Sequence, residues 1–280
     1  MNKRRLPISE WKFKHGEVEY ILNLVRDTCG PVSAFPGSGS PEKNQHEFSR
    51  LMDLFSQVSN KKNPCMVELG CHWALASLIF KKMYPNGRNV LVEPDLCNIA
   101  IGQMNFHLNN FACDMTWGSV FPCDPSIDPL DIGFSPDPKP RSREADFIKE
   151  IYKEFNLKDI DVLHMDIQGS EFPLVKYLDK NNFFNNIIKS VFIATHNIKE
   201  HHIIVKILQA NDFNIITNEE RTKLEDSVTR RGYLPEFKDK AYEFAKEINE
   251  EVEVGEDGHL FISFRESQTT DGLIIANKNA

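Results

Sequence analysis

The amino-acid sequence predicts an α/β fold, an open and mostly parallel β-sheet with helices on both faces. Three observations lead there. Short apolar runs ("CMVEL", "NVLVE", "IDVLHM", "SVFIAT", "FNIIT") recur between segments with helical spacing. These runs are largely apolar along their whole length, as strands covered on both faces are. Several of them end in a polar group: Glu68, Glu93, Asp166, and Thr195 with His196.

Taken in order, Val18, Ile21, Leu24 and Val25 have the spacing of an amphipathic helix. Phe48, Leu51, Met52 and Phe55 suggest a second helix, with "AFPGSGSPEK" as the loop between them. Residues 1–60 therefore read as a helical extension. The strand "CMVEL" opens the main domain, 61–265, followed by a helix through "LASLIFKKMY" that "PNG" stops. Next come the strand "NVLVE", a helix from Asp95 to about Asn109 and a strand near "CDMTWGSV".

An insertion at 121–142 then breaks the rhythm. Its first twenty residues hold six of the chain's fifteen prolines, which lack an N–H and fix φ, so neither sheet nor helix continues there. Phe147, Ile148, Ile151, Tyr152 and Phe155 mark another helix. After it follow "IDVLHM", a helix "SEFPLVKYL" capped by Ser170, "SVFIAT", a helix carrying Ile203, Ile204, Ile207 and Leu208, and "FNIIT". A charged insertion at 219–256, with a helix from Glu236 to Glu250, reads as a solvated helix or a subunit contact of a homo-oligomer. "DG" at 257–258 turns the chain into "HLFISFR", an antiparallel last strand, and 266–280 reads as a flexible tail.

Composition narrows the function. With 33 basic and 41 acidic residues the net charge is −8, which disfavours nucleic acid as a partner. No apolar stretch is long enough to span a membrane, and the basic start "MNKRR" lacks an apolar segment behind it. Six scattered cysteines without a Cys-x-x-Cys pair point to reduced thiols and a cytoplasmic protein.

Ligands of such sheets bind beyond the carboxyl ends of the strands. There, Gly70 permits a sharp turn at the start of a helix, and Glu93 suits both hydroxyls of a ribose. A dinucleotide needs more glycines than Gly70-Cys71-His72-Trp73-Ala74 supplies, and His72 stands where the second one belongs. S-adenosylmethionine has no phosphate and asks for an acid near its amine, a turn beneath its carboxylate and an acid for its ribose. Glu68, Gly70 and Glu93 meet that demand, with Cys71 and His72 in the same turn.

"VELGCHWALAS", "VEPD", "IDVLHMDIQGSEFPLV" and "FIATHN" together resemble the FkbM family of S-adenosylmethionine-dependent methyltransferases, over roughly residues 64–217. The resemblance implies a Rossmann-like class I methyltransferase fold and O-methylation of a sugar, glycan or polyketide-like molecule, releasing S-adenosylhomocysteine. It places Glu68, Gly70 and Glu93 on cofactor positions, Ser119 near the adenine, and Asp166, Gln168 and Glu171 on the family's signature. Asp166 and Gln168 count with the cofactor set as well. The chain departs from the family at Ala74, where a second small glycine is usual.

Methyl transfer to a hydroxyl needs a group that accepts the proton, and Asp166 or His196 is the expected base, with Glu171 orienting its partner. A divalent cation held by the three is the alternative, and no metal is expected. The N-terminal extension and the 121–142 insertion are expected to wall the acceptor site. An NAD(P)-dependent oxidoreductase and a non-catalytic S-adenosylmethionine-binding module are the competing readings.

Overall fold

The computed structural model describes residues 8–25, 41–57, 61–121, 144–167, 170–196, 198–220, 223–233, 242, 246, 252–254, 260–269 and 272–278. The chain opens with a hairpin of β1 (Ile8–His15) and β2 (Val18–Val25), where a helix over 18–25 is expected from the sequence. The segment satisfies both periods, and the partner strand decides between them. Trp11 faces Leu22 and Phe13 faces Tyr20 across the ladder, Leu22 and Leu24 are buried while Ile21 is exposed, and Gly16 takes the turn at φ 60°. The second predicted helix is present as α1 (Pro41–Gln57).

The central sheet is built from β3 (Cys65–Leu69), β4 (Arg88–Glu93), β5 (Asp114–Trp117), β8 (Val162–Met165), β9 (Ser190–Thr195), β10 (Phe213–Glu219) and β14 (Gly272–Lys278). Their order is β10-β14-β9-β8-β3-β4-β5. All neighbours are parallel except β14, which runs antiparallel to both β9 and β10. Helices α2 (Leu75–Met83), α3 (Leu96–Leu108), α4 (Glu171–Lys180), α5 (Phe183–Asn186) and α6 (Ile198–Ala210) lie between the strands in sequence. This is the Rossmann-like class I methyltransferase fold.

Alternate residues of the strands enter two separate cores. Val67, Leu69, Val90, Val92, Leu163 and Met165 enter one, and Met66, Leu91, Val162, Phe192 and Ile275 the other. Two expectations fail at the C-terminal end. The antiparallel strand of the central sheet is Gly272–Lys278 rather than "HLFISFR", and the tail is no loose end, because Leu273, Ile274, Ile275 and Ala276 are buried. Leu260 to Arg265 of that run belong to β13 (Leu260–Thr269), which pairs with β11 (Lys223–Tyr233) and β12 (Val252–Val254) in a sheet of their own. The chain thus divides into one compact unit of Met1–Glu220 with Gly272–Ala280 and a second of Arg221–Asp271.

The strand expected near "CDMTWGSV" is also split. β5 stops at Trp117, and β6 (Ser119–Phe121) pairs in parallel with β7 (Glu144–Asp146), ahead of a π-helical segment at Phe147–Lys153. The Pro/Asp-rich stretch, from 122 to 143, lies outside the described residues, as does the helix expected over 236–250 apart from Tyr242 and Lys246.

Two asparagines seat the N-terminal hairpin. Asn105 and Asn109, one turn apart on and just after α3, mimic a strand edge for β2. Val25 N–H donates to Asn105 Oδ1 (2.8 Å), Asn23 N–H to Asn109 Oδ1 (3.0 Å), and Asn109 Nδ2 to Asn23 O (2.7 Å).

Candidate active site

From β3 the chain moves to β4 and β5 on one side and later to β8 and β9 on the other, so a crevice opens beyond the carboxyl ends of β3 and β8. Gly70 stands at that point with φ 75°. Its N–H donates to Val92 O (2.9 Å), Cys71 N–H donates to the same oxygen (3.1 Å), and Asp166 N–H donates to Leu69 O (3.0 Å). A Cβ on residue 70 would lie 1.9 Å from the Asp166 carbonyl oxygen, so only glycine fits.

The turn after Gly70 repeats the left-handed conformation at His72 (φ 46°) and Ala74 (φ 63°), although neither is glycine. Each such residue costs about 1 kcal/mol, which the surrounding hydrogen bonds offset. Glu93, only 5% exposed, is their hub. Its carboxylate accepts from His72 N–H (2.8 Å), Asp95 N–H (3.0 Å) and Asn98 Nδ2 (3.3 Å). The Trp73 indole N–H donates to Asn98 Oδ1 (3.1 Å), and Asn105 Nδ2 donates to Trp73 O (3.1 Å). The His72 ring stacks on Trp73 with centroids 4.7 Å apart, and partial burial holds its pKa below the ordinary imidazole value. Cys71 is buried, and burial keeps its thiol protonated, which suits packing rather than chemistry.

Glu68 is buried near the end of β3. It is 2% exposed and accepts from Ser77 N–H (3.1 Å) in the first turn of α2. Its burial fits a residue that anchors the helix start better than one in direct contact with a cofactor amine. His164 Nδ1 is 3.7 Å from its Oε1, with the imidazole stacked on Phe192. Burial, reinforced by the charges of Glu93 and Asp166, pushes Glu68 up to about 8, and burial drops His164 to about 4.

This makes a pH prediction. Because the folded pKa of Glu68 is raised, its stabilising neutral form is fully present below 4.5 and is lost as pH rises through about 8. His164, depressed from 6.5 to about 4, acts oppositely and only on the acid side. Between pH 6.5 and about 8 the stability of the wild type should therefore fall by up to about 1.4 kcal/mol per pH unit from this site, and level off above that. Glu68→Gln should flatten that slope in urea unfolding, and an unaltered slope would exclude Glu68 as its source.

Asp166, Glu171 and His196 come together at the same edge from three elements. Asp166 follows β8, Glu171 opens α4 and His196 follows β9. His196 Nδ1 lies 3.0 Å from Glu171 Oε1, and its Nε2 lies 3.6 Å from Asp166 Oδ1. Glu171 is 1% exposed and accepts from Ile167 N–H (2.9 Å); Asp166 and His196 are half-buried. Ser170 holds the cap position of α4 but makes no side-chain capping bond, contrary to the sequence expectation. The Ile167–Glu171 bond ties the loop to the helix instead. Ser119 is half-buried at the start of β6, beside Gly118, whose N–H donates to Glu93 O (3.1 Å). Gln168 lies outside the described residues.

Sequence reasoning missed several supports. Glu200, in the first turn of α6, has its carboxyl pushed up by burial and then by the charge of Glu171, while His196 pulls it down. His201, fully buried, bridges Thr195 Oγ1 (Nδ1, 2.7 Å) and Asn218 Oδ1 (Nε2, 2.8 Å). An amide oxygen can only accept, so Nε2 carries the hydrogen and Nδ1 accepts from Thr195. This bond fixes the end of β9 next to His196. A polar residue on the buried face of a helix was the available signal for Asn105 and His201.

No family model and no curated protein matches the chain. Similar solved structures include a SAM-dependent methyltransferase from Agrobacterium tumefaciens, at 11% identity over 99% of this chain and 72% of that one, with a TM-score of 0.46. Precorrin-6y C5,15-methyltransferase from Geobacter metallireducens is similar at 12% identity over 81% and 87%, with a TM-score of 0.42. At these identities and TM-scores the likeness carries no argument about this chain.

Proposed function

We propose that the chain is an S-adenosylmethionine-dependent O-methyltransferase of the FkbM type, acting on a hydroxyl of a small molecule or glycan. The observation that carries this reading is the meeting of Asp166, Glu171 and His196 beside the Gly70 turn, at the crevice of a class I methyltransferase sheet. The residues present fit the methyl donor. Glu93 has about four acceptor positions and spends three on His72, Asp95 and Asn98, so one remains for a ribose hydroxyl. Gly70, Cys71 and His72 shape the floor, with Ser119 and Asp166 as further contacts and Glu68 behind the turn. A dinucleotide fits less well, because His72 and Ala74 put side chains where a pyrophosphate needs bare backbone.

When bound, the donor supplies a methyl group activated by its sulfonium. The protein's part is to hold the acceptor oxygen in line with it and to take the hydroxyl proton. His196, set between Glu171 and Asp166, is placed for that task, since flanking carboxylates stabilise the imidazolium that forms. No helix among the described residues is long and apolar enough to cross a membrane.

The direct test is incubation with methyl-labelled donor and a panel of sugars, glycans and polyketides, followed by detection of labelled product. Label in none of them, with donor bound, would favour a non-catalytic binding module. Glu93→Gln should weaken binding of S-adenosylmethionine and S-adenosylhomocysteine about tenfold or more, since a hydrogen bond to a charged group contributes roughly 1.5–3 kcal/mol. Equal calorimetric affinities in wild type and variant would remove Glu93 from the cofactor site.

A further inference from the structure

We infer that Asp166, Glu171 and His196 form a binding site for a divalent transition-metal cation, with open positions facing the crevice. One ligand atom from each side chain lies within 4.8 Å of the others. Atoms held about 2.0–2.2 Å from a common ion are roughly 3–4.4 Å apart, so the trio needs only a small contraction to close on one. The three groups come from the ends of two neighbouring parallel strands and the first turn of a helix, which hold them on a rigid frame. The Ile167 N–H on Glu171 Oε1 fixes that carboxylate in the way outer partners fix metal ligands.

The donor types support the same conclusion: the carboxylates of Asp166 and Glu171 flank the His196 imidazole, which ligates in its neutral form. Two oxygen donors and one imidazole nitrogen suit manganese, iron, cobalt or zinc better than magnesium or calcium.

The inference deepens the methyl-transfer reading and rests on it for what the ion does. A hydroxyl of the acceptor that coordinates the ion is acidified and gives up its proton to water, so with the ion bound His196 is a ligand and the cation takes over the part that the imidazole plays as base without it. Binding of the ion is tested separately, without methyl donor. Mn²⁺ is titrated into the metal-stripped full chain and followed by calorimetry and by loss of the free-ion paramagnetic resonance signal. One saturable ion per chain is expected, with affinity falling roughly 100-fold in His196→Gln and in Asp166→Asn, both correctly folded by circular dichroism. Absence of saturable binding, or equal affinity in wild type and both variants, overturns the site. If Mn²⁺ binds as expected but no labelled acceptor forms with Mn²⁺ present, the methyl-transfer reading fails and the cation site stands. If label transfers equally with and without chelator and no Mn²⁺ binds, the reverse holds.

Discussion

Asp166→Asn is expected to lower methyl transfer by about 10²–10⁴-fold while moving the melting temperature by no more than about 4 °C. The two side chains have the same shape, and the backbone contacts of residue 166 are kept in the variant. Its N–H donates to Leu69 O, and its carbonyl oxygen packs over Gly70. What the variant loses is the negative charge 3.6 Å from His196 Nε2. The side chain is half-buried at the crevice rather than in the core, so the loss falls on chemistry instead of packing. Initial rates with labelled donor, beside donor affinity by calorimetry, separate the two. Wild-type turnover in the asparagine variant would remove Asp166 from the reaction, and a collapse of the melting temperature would assign it to the fold.

The largest effect on stability is expected at Gly70→Ala. The new methyl carbon would sit 1.9 Å from the Asp166 carbonyl oxygen, a backbone atom that cannot rotate aside. Relief requires the ends of β3 and β8 to separate, against the Asp166 N–H to Leu69 O bond that joins them. Overpacking of this kind costs about 1–3 kcal/mol, and the left-handed φ of 75° adds about 1 kcal/mol for a residue with a Cβ. Urea unfolding should show a loss of about 2–4 kcal/mol, and donor binding should fail even where the variant folds. A variant as stable as wild type with unchanged donor affinity would mean that the turn has room the geometry denies.

Strands β3, β4, β8 and β9 were legible because each is a short apolar run, buried on both faces, and because Glu93 and Asp166 interrupt that pattern where two of them end. The hairpin was not. Val18, Ile21, Leu24 and Val25 fit a helix as well as Leu22 and Leu24 fit a strand, and the ladder to Trp11 and Phe13 that decides between them is tertiary information. β14 carried a readable sign in Asp271-Gly272, a turn pair followed by four apolar residues, but its place between β9 and β10 depends on a strand pairing no local pattern encodes. In the site the residue types were visible and their partners were not. Glu68 and Glu93 bind backbone N–H groups of Ser77, His72 and Asp95, and every residue offers such a group regardless of its side chain.

The pairing of β10 with β14 also bears on the order in which the protein can assemble during synthesis. Among the described strands β10 has only β14 as a neighbour, and Glu219 pairs with Leu273 across a gap of more than fifty residues. Residues 213–219 therefore leave the ribosome well before their partner exists. The intervening unit has its own ladder, and its first and last paired residues, Lys223 and Thr269, face each other. Once that unit folds, its two ends are held side by side and the long loop becomes, for the rest of the chain, a short one. The entropy of closing more than fifty residues is then met by local pairing within the unit. This favours a sequence of events in which Arg221–Asp271 forms first and β14 afterwards slots between β9 and β10, so that lesions in the inserted unit delay closure of the sheet while leaving its finished stability nearly untouched.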